Sequence, residues 1–341
     1  MFDEFARTAA SRAPLYARLS AGIAVDPSLA GLLLVAPTTQ RQPVLLFACV
    51  HDLLLEDPSA RLAGYYPNLT PAPDPEDPLP AFAAFCRERS DELNHLLSTR
   101  RTQTNEIGRC ALLLPAFSVL AAEVGPLAHL DVGTSAGLNL LLDRFHYRYE
   151  PGGEVGPPSS VSVTCGVRGD GPTPATMPEV AVAVGIDPTP VDLQDATQAR
   201  WLEACVWPDQ TDRFDRLRAA IRLGREVGVD VRRGDAVADT ATVVAQLASA
   251  AHPVVTNTWV LNYLTHEQRI DYVDALDEVG AGLDLSWVYA ESPLLVGGIP
   301  TPSVPDRVER TVLTVVRWRG GKRTVDHLAE CHPHGYWLHW W

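Results

Sequence analysis

The feature that most constrains the fold is an alternation of short apolar runs with helical spacing that begins at residue 128. Each apolar run is short enough for a buried strand, and each is followed by a segment with helical periodicity. The expected strands are residues 128–132, 180–186, 229–232, 253–256 and 283–289. This alternation predicts an α/β fold with a mostly parallel sheet, helices on both faces, and ligands bound beyond the carboxyl ends of the strands.

The remaining segments complete the predicted domain organisation. Residues 310–318 and 324–340, joined by Gly320 and Gly321, predict antiparallel strands at the end of the sheet. Residues 1–125 show helical spacing and predict an N-terminal helical domain that acts as a lid. Residues 126–341 then form the α/β domain, with an insertion at about 146–179 where proline and glycine are frequent.

Composition limits the possible partners. The formal net charge is −14, which argues against a nucleic-acid partner because phosphates are bound by basic surfaces. No uninterrupted apolar run approaches the roughly 20 residues of a membrane span. The first residues, Met-Phe-Asp-Glu, are acidic where a secretory signal is basic. We therefore expect a cytoplasmic protein with a small-molecule substrate and no membrane partner, and the composition leaves the oligomeric state open.

The most informative segment follows the first expected strand. It contains Asp131, Gly133, Ser135, Gly137 and Asn139 within nine residues, and it passes from a strand through small residues into an expected helix. Glycines at such a turn allow a ligand to approach the backbone, and a helix N-terminus offers unpaired N–H groups. We interpret these five residues as a cofactor-binding turn.

Two other interpretations of the turn meet difficulties. A dinucleotide-binding fold requires G-x-G-x-x-G, which fails because Ser135 and Leu138 occupy the second and third glycine positions. A hydrolase elbow, G-x-S-x-G, is satisfied with Ser135 as the nucleophile and could use Asp284 or Glu291 together with His327. That fold places several strands before the elbow, whereas the preceding 125 residues here show helical spacing.

A third interpretation is supported by the ends of the later strands. Asp187 follows the second strand in the sequence Gly-Ile-Asp-Pro-Thr-Pro, Asp235 follows the third in Arg-Gly-Asp-Ala, and Asn257 ends the fourth. Together with the glycine turn, these motifs resemble those of class I S-adenosylmethionine-dependent methyltransferases. The resemblance implies a Rossmann-like sheet with an antiparallel terminal strand. It also implies that Asp187 binds the ribose and Asp235 the adenine.

The resemblance also suggests where the methyl acceptor binds. Asn257 matches the first position of the N-P-P-Y motif of amino-group methyltransferases, but the two prolines are absent. Tyr263 and His266 follow in the same loop. We list Asn257, Tyr263 and His266 as candidate catalytic residues, with the latter two as a base or as residues that cap the next helix.

A wider set of motifs resembles one bacterial family. The set includes Asn105-Glu106-x-x-Arg109 with the preceding threonine, the glycine turn, Gly-Ile-Asp187 and Arg-Gly-Asp235, and it resembles a bacterial domain-of-unknown-function family (number 2332). The similarity covers most of the chain and implies a methyltransferase-like fold without an agreed substrate.

Several alternatives stay open at this point. Glu106 and Arg109 are three residues apart and are either an ion pair on a helix surface or ligands for the amino-acid end of the cofactor. Asp131 is either a strand-end acid satisfied by the protein or the ligand for the cofactor ammonium. Glu150 is the rival of Asp187 as ribose ligand. The C-terminal histidines do not have metal-ligand spacing, so no metal is expected.

The sequence therefore predicts S-adenosylmethionine-dependent methyl transfer to a small molecule. Two alternatives are a non-catalytic binding protein that keeps this fold and a serine hydrolase that uses Ser135.

Overall fold

The computed structural model describes residues 1–302 and 310–341, which divide into two compact units. The first unit contains Met1–Thr104 and Leu193–Arg218. The second contains Asn105–Asp192 and Ala219–Trp341. Each unit has its own buried apolar cluster.

The first unit is helical. Proline occupies the first turn of several of its helices, where the missing N–H has no helical partner to lose. Tyr16 stacks on Phe47 in the core, with ring centroids 4.3 Å apart. Its described α-helices are α1 Phe2–Ala9, α2 Pro14–Ile23, α3 Pro27–Gly31, α4 Pro43–Glu56, α5 Leu79–Glu88, α6 Ser90–Thr99 and α8 Ala196–Ala204, and α9 Thr211–Val227 begins in it.

The second unit is built on one mixed sheet. The strands within the described residues are β1 Leu127–Val132, β2 His146–Glu150, β3 Gly153–Val155, β4 Ser162–Arg168, β5 Val180–Asp187, β6 Val231–Arg233, β7 His252–Thr258, β8 Leu285–Glu291, β9 Thr311–Arg319, β10 Lys322–Cys331 and β11 Trp337–Trp340. Their order is β3-β2-β4-β11-β10-β9-β8-β7-β1-β5-β6. Six of the ten strand pairings are parallel. The α/β fold with a mostly parallel sheet is therefore confirmed.

The parallel half of the sheet has β1 between β5 and β7. Strand β6 continues beyond β5, and β8 continues beyond β7. The chain thus moves to one side of β1 for two strands and then to the other side for two strands. In such sheets the crevice at the carboxyl ends beside the reversal point is the usual ligand site.

Helices cover both faces of this half. Helices α7 Cys110–Val124, α10 Ala236–Leu247 and α11 His266–Gly282 all belong to the second unit. Leu130 and Val132 of β1 pack in the apolar cluster that contains residues of α10 and α11. His129 directly precedes Leu130 in sequence and contacts Phe117 of α7 edge-on, with ring centroids 5.0 Å apart. Alternate residues of a strand face opposite sides, so α7 lies on the other face.

The other half of the sheet contains the expected antiparallel end and an unexpected extension. Strands β9 and β10 form the predicted antiparallel pair around Gly320 and Gly321. Residues 146–179 are the insertion that the frequent proline and glycine predict. They supply β2 and β3 as well as β4, and they join the sheet because β11 pairs in parallel with β4.

One helical stretch of the described residues is long and apolar enough to cross a membrane. It is Ile107–Val124, and 67% of it is buried inside the protein. The core helix of a globular protein has the same character.

The packing of α11 on β9 yields a stability prediction. A Cβ at Gly280 would overlap the indole of Trp318, whose side chain is buried and donates to Asp277 at 2.8 Å. We expect Gly280→Ala to lower the free energy of unfolding by about 1–3 kcal/mol, measured by urea denaturation.

The control for this prediction is in the same helix. A Cβ at Gly282 meets no atom within 4 Å. We expect Gly282→Ala to be neutral or to stabilise by up to about 1 kcal/mol, because alanine is the better helix former. Equal effects of the two substitutions would contradict the packing argument.

Candidate functional site

The turn after β1 is held by left-handed residues and by the end of β5. Gly133 and Gly137 have φ of 74° and 73°, and Ser135 has φ of 57°. A non-glycine residue in this region costs about 1–2 kcal/mol. The N–H of Ser135 donates to Oδ2 of Asp187 at 2.9 Å, and the N–H of Gly133 donates to the carbonyl of Ile186 at 2.8 Å. These bonds hold the strained turn against β5.

The glycines of the turn make room for the protein's own side chains. A Cβ at Gly133 would lie 2.5 Å from a methyl of Val260, and one at Gly137 would overlap Val231. After the turn, Leu138–Arg144 is a 3₁₀ helix with a kink, where an α-helix was expected. Asn139 lies in it, and its Oδ1 accepts from Sγ of Cys110 at 3.4 Å.

Asp131, the second-last residue of β1, belongs to a buried hydrogen-bond chain. The hydroxyl of Thr256 donates to Oδ1 of Asp131 at 2.7 Å and lies 2.8 Å from Nε2 of His129. Burial raises the pKa of Asp131 to about 6, and burial lowers the pKa of His129 to about 3. This lowered pKa keeps His129 neutral at physiological pH. Because the Thr256 hydroxyl hydrogen is donated to Asp131, the hydroxyl oxygen is left to accept from Nε2 of His129.

Asp187 is the last residue of β5 and Asp235 lies two residues after β6, at the same edge of the sheet. Oδ1 of Asp187 accepts the N–H of Thr189 at 2.8 Å, so each of its oxygens carries one backbone hydrogen bond. Asp235 is exposed and caps α10 by accepting the N–H groups of Val237 and Ala238.

Glu150 lies in a different part of the sheet. It ends β2, which is seven strand spacings from β1 in the sheet order. At about 4.8 Å per strand, this is roughly 34 Å. The idea that Glu150 rivals Asp187 beside Asp131 is therefore wrong, because the strand that carries it joins the opposite edge of the sheet.

The three residues proposed for catalysis, at the end of β7 and in the segment that follows it, have different surroundings. Asn257 is fully buried, and its Oδ1 accepts from Tyr272 at 2.8 Å and from the indole of Trp287 at 2.7 Å. Tyr263 is 70% exposed, and His266 is exposed at the first position of α11. The structure does not bring these three side chains into one cluster, and their catalytic role stays a prediction.

Residues 105–109 lie across the carboxyl edge of the sheet; we call them the edge segment. The amide of Asn105 donates to the carbonyl of Thr134 at 3.1 Å. Arg109 donates to the carbonyl of Thr258 at 2.7 Å and to that of Pro333 at 2.8 Å. The edge segment thus contacts the glycine turn, the end of β7 and the turn between β10 and β11.

The charged residues of the edge segment differ from one of the expectations from the sequence. The α-helix begins at Cys110, and a short 3₁₀ helix precedes it at Ile107–Arg109. Glu106 and Arg109 are only 3% and 7% exposed, so the interpretation of these residues as an ion pair on a helix surface is wrong. Oε1 of Glu106 accepts the N–H of Gly108 at 3.0 Å, and its Oε2 lies 3.1 Å from Nδ1 of His334.

Glu291, at the end of β8, is a site residue that the methyltransferase interpretation missed. It is fully buried, and its Oε1 accepts the N–H groups of Val260 at 2.6 Å and Leu261 at 3.3 Å. Its Oε2 is buried and finds no hydrogen-bond partner among the residues that the structure describes. Burial raises the pKa of Glu291 to about 7. An acid directly after an apolar strand was the sequence signal that could have identified it.

The residues of the proposed hydrolase triad are not assembled. His327 on β10 is four strand spacings from β1, about 19 Å, and its ring contacts Thr314 and the carbonyl of Pro300. Asp284 precedes β8 and therefore lies at the amino end of the strands, where it accepts from Gly320. Only Glu291 of the proposed partners lies at the carboxyl edge with Ser135.

Acidic side chains predominate at this edge among the described residues. They include Glu106, Asp131, Asp187 and Glu291, and the Arg109 guanidinium acts electrostatically on Asp131 and Glu291. Within residues 1–302 and 310–341, no group of three or more His, Cys, Asp or Glu side chains is arranged to hold a metal ion.

Comparison with known proteins gives one match. The model of a family described as "Uncharacterized protein conserved in bacteria (DUF2332)" matches residues 1–340. No curated protein and no solved structure matches the chain.

The raised pKa of Glu291 predicts a pH dependence of stability. In the unfolded chain this carboxyl ionises near pH 4, whereas in the folded chain it keeps its proton to about pH 7. The folded state therefore binds more protons between these values, and its stability falls as pH rises. We expect Glu291→Gln to gain about 1–3 kcal/mol in free energy of unfolding relative to wild type between pH 4.5 and 7.5, measured by urea denaturation.

The matched control is an exposed carboxylate in the same unit. Glu179→Gln should leave the difference from wild type constant across this pH range. If the Glu291→Gln difference is flat or falls as pH rises, Glu291 is ionised in the folded protein and the argument fails.

Proposed function

The chain belongs to the DUF2332 family, and from the geometry of its site we propose that it binds S-adenosylmethionine and transfers the methyl group to a small molecule. The observation that carries the proposal is the row of acidic strand ends beside the glycine turn. Asp131 is the second-last residue of β1, just before this turn, and Asp187 ends the neighbouring β5 and binds the turn directly.

The strand order supports a nucleotide-type ligand. Numbered along the chain from one to five, the parallel strands β1, β5, β6, β7 and β8 lie in the order 3-2-1-4-5. This is the order of doubly wound sheets that bind nucleotides at the reversal point. The antiparallel β9 beside β8 agrees with the terminal strand expected from the methyltransferase resemblance.

The charges of the site suit this cofactor. S-adenosylmethionine carries a sulfonium and an ammonium, and the described residues of the site include several carboxyl groups together with the Arg109 guanidinium. Asp131 would bind the ammonium, and a cation there would offset the burial that now favours its protonated form. Arg109 would bind the cofactor carboxylate, since guanidinium and carboxylate pair well.

Asp187 has the capacity for the ribose hydroxyls. Each of its oxygens accepts one backbone N–H, from Ser135 and from Thr189, and each can accept one more hydrogen bond. Asp235 would face the adenine. Because side chains of the protein fill the space at Gly133 and Gly137, these carboxylates rather than the glycines would provide most of the contacts.

The bound cofactor supplies an activated methyl group on a good leaving group, so the protein mainly has to align the acceptor. Alignment of the acceptor with the methyl group alone lowers the activation free energy by several kcal/mol. A lid formed by the helical unit and a role for Asn257, Tyr263 or His266 in acceptor binding stay predictions. A non-catalytic protein with the same fold would bind the cofactor without turning it over.

Calorimetry with S-adenosylmethionine and with its demethylated product tests the cofactor assignment. We expect dissociation constants in the micromolar range, on the order of −8 kcal/mol. Asp187→Asn should weaken binding at least about tenfold, because the loss of charge weakens two hydrogen bonds to hydroxyls.

Glu150→Gln is the matched control, because it removes a carboxylate at the distant edge of the sheet and should leave binding unchanged. Undetectable binding of both compounds at millimolar concentration would refute the cofactor assignment.

The hydrolase alternative has a separate test. We expect a fluorophosphonate probe to leave Ser135 unlabelled, because neither His327 nor Asp284 lies at the carboxyl edge with it. Mass spectrometry of the treated protein measures this, with trypsin as the positive control. Stoichiometric labelling that Ser135→Ala abolishes would overturn the methyltransferase proposal in favour of the hydrolase.

A further inference from the structure

The end of β8 places a carboxyl group at the site with only one of its two oxygens bound. Oε1 of Glu291 accepts the N–H groups of Val260 at 2.6 Å and Leu261 at 3.3 Å. Oε2 of the same side chain is buried and makes no hydrogen bond to any residue within 1–302 and 310–341. An unsatisfied buried oxygen is costly and is rare in folded proteins. Oε2 is therefore suited to a ligand group that donates a hydrogen bond.

The donors closest to Glu291 bind other acceptors. The N–H of Trp259 lowers the pKa of Glu291, but it donates to the carbonyl of Ala290 at 3.2 Å. The Arg109 guanidinium also lowers this pKa through its charge, and it donates to the carbonyls of Thr258 and Pro333. These groups stabilise the carboxylate without occupying Oε2.

Glu291 adjoins the proposed cofactor site through a single residue. The N–H of Val260 donates to Glu291, and a Cβ at Gly133 would lie 2.5 Å from a methyl of the same valine. The Arg109 charge acts on both Asp131 and Glu291. The carboxyl group at the end of β8 thus shares its surroundings with the glycine turn and with the acid of β1.

The glycine turn has unsatisfied oxygens of its own. Oγ of Ser135 is buried and has no hydrogen-bond partner in the described part of the chain. The same holds for Oδ1 of Asn105, whose amide nitrogen donates to the carbonyl of Thr134. Unsatisfied polar atoms therefore lie both at the turn and at the end of β8. A cofactor at the turn and an acceptor at β8 would account for both groups.

The strand order assigns Glu291 to the acceptor side of the site. Asp187 on β5 and Glu291 on β8 are three strand spacings apart, about 14 Å, with β1 and β7 between them. In the proposed function the cofactor contacts Asp187 through its ribose and Asp131 on β1 through its ammonium. The sulfur lies between these two parts of the cofactor, so the acceptor has to approach from the side of β7 and β8.

We propose that Glu291 is the catalytic residue that binds the methyl acceptor, and that the acceptor is an amine whose ammonium group pairs with Oε2 before it reacts. The proposal rests on the proposed function. An ammonium group suits this position better than a neutral hydroxyl, because a cation offsets the cost of ionising a buried carboxyl group.

The proton and electron movements balance. The ionised Oε2 of Glu291 takes one proton from the ammonium, which frees the lone pair of the nitrogen. That lone pair forms the bond to the methyl carbon, the carbon–sulfur bond breaks, and its electrons stay on sulfur as a neutral thioether. The nitrogen becomes a methylated ammonium, and the proton on Glu291 later passes to water.

The groups that face Glu291 set its affinity for this proton. Burial raises the pKa of Glu291 to about 7, against the lowering effect of Arg109 and of the backbone N–H groups. Tyr272 of α11 and Tyr289 of β8 are also influenced by Glu291, but burial raises their pKa values well above the usual tyrosine value, so both stay neutral. A base with a pKa near 7 is well matched to accept a proton at neutral pH.

Sinefungin provides the first test, because it resembles S-adenosylmethionine but has a carbon bearing an ammonium group in place of the methylated sulfur. By calorimetry we expect Glu291→Gln to weaken sinefungin binding at least about tenfold, since the amide lacks the charge that faces the ammonium. Binding of the demethylated product should change by less than about twofold. Equal effects on the two compounds would indicate a merely structural residue and would overturn the proposal.

Two control variants accompany this measurement. Asp187→Asn should weaken both compounds by the same factor, because the proposed ribose contact is common to them. Glu150→Gln should leave both affinities unchanged, because its carboxylate lies at the distant edge of the sheet. Weakening of sinefungin alone by either control would mean that the selectivity does not come from Glu291, and would contradict the proposal.

A second measurement uses the wild-type protein and so does not depend on how Glu291→Gln folds. Dicyclohexylcarbodiimide adds to protonated carboxyl groups, and in a site shielded from water the adduct rearranges to a stable N-acylurea that mass spectrometry locates. At pH 6.5 we expect this product on Glu291 and not on the exposed Glu179, where water hydrolyses the first adduct. Absence of the product on Glu291 would show that small molecules do not reach Oε2, and would overturn the proposal.

Saturating ligand separates this inference from the proposed function. Sinefungin should slow the labelling of Glu291 at least about fivefold more than the demethylated product does, because its ammonium displaces the proton that the carbodiimide requires. Equal protection by two compounds that both bind would overturn the role of Glu291 while the cofactor assignment stands. If neither compound binds, the cofactor assignment fails and amine methylation fails with it, while carbodiimide labelling still decides whether Glu291 faces a ligand site.

Discussion

The arrangement of the site depends on one buried cation. Arg109 is 7% exposed, and a guanidinium in such a place must be satisfied by charge and by hydrogen bonds. It donates to the carbonyls of Thr258, at the end of β7, and Pro333, in the turn between β10 and β11. Its charge also lowers the pKa values of Asp131 and Glu291 against the larger effect of burial. Arg109 therefore fixes the geometry of the edge and makes a cluster of buried carboxyl groups tolerable.

The parallel strands could be predicted because each one is a local pattern. Apolar runs of four to seven residues bounded by turn residues mark β1, β5, β7 and β8 without any knowledge of their partners. The glycine turn and Asp187 could be placed together for the same reason, since the carboxyl ends of parallel strands share one edge. The structure confirms that Asp187 contacts the turn.

The other half of the sheet depends on strand pairings, and the charged centre of the site on side-chain contacts, that no local sequence pattern indicates. Strands β2 and β3 join the sheet only because β11, at the other end of the chain, pairs with β4. Glu106 meets His334 by the same kind of long-range contact. From the sequence, Glu106 and Arg109 look like neighbours on a helix. In the structure they precede the helix, and each is committed to a distant segment.

Asn257 illustrates why a residue type alone does not identify a role. Its position at the end of β7 suits a residue that faces a transferred group, and the sequence motif is part of that interpretation. In the structure its amide oxygen accepts from Tyr272 of α11 and Trp287 of β8. These donors are buried aromatic residues that need a hydrogen-bond partner, so the same amide also serves the core.

Two strained turns at this edge share a physical device. Ser135 and Trp259 both have φ of 57°. In the first turn the N–H of Ser135 donates to the carboxylate of Asp187, and in the second the N–H of Val260, directly after Trp259, donates to Glu291. A charged acceptor holds an N–H more strongly than a neutral one, so ionisation favours the strained form of each turn. For Glu291, burial opposes this ionisation and brings its pKa to about 7. The turn after β7 is therefore held by a group whose charge changes near neutral pH, and a cation bound at this edge would favour the ionised carboxylate and so tighten that turn.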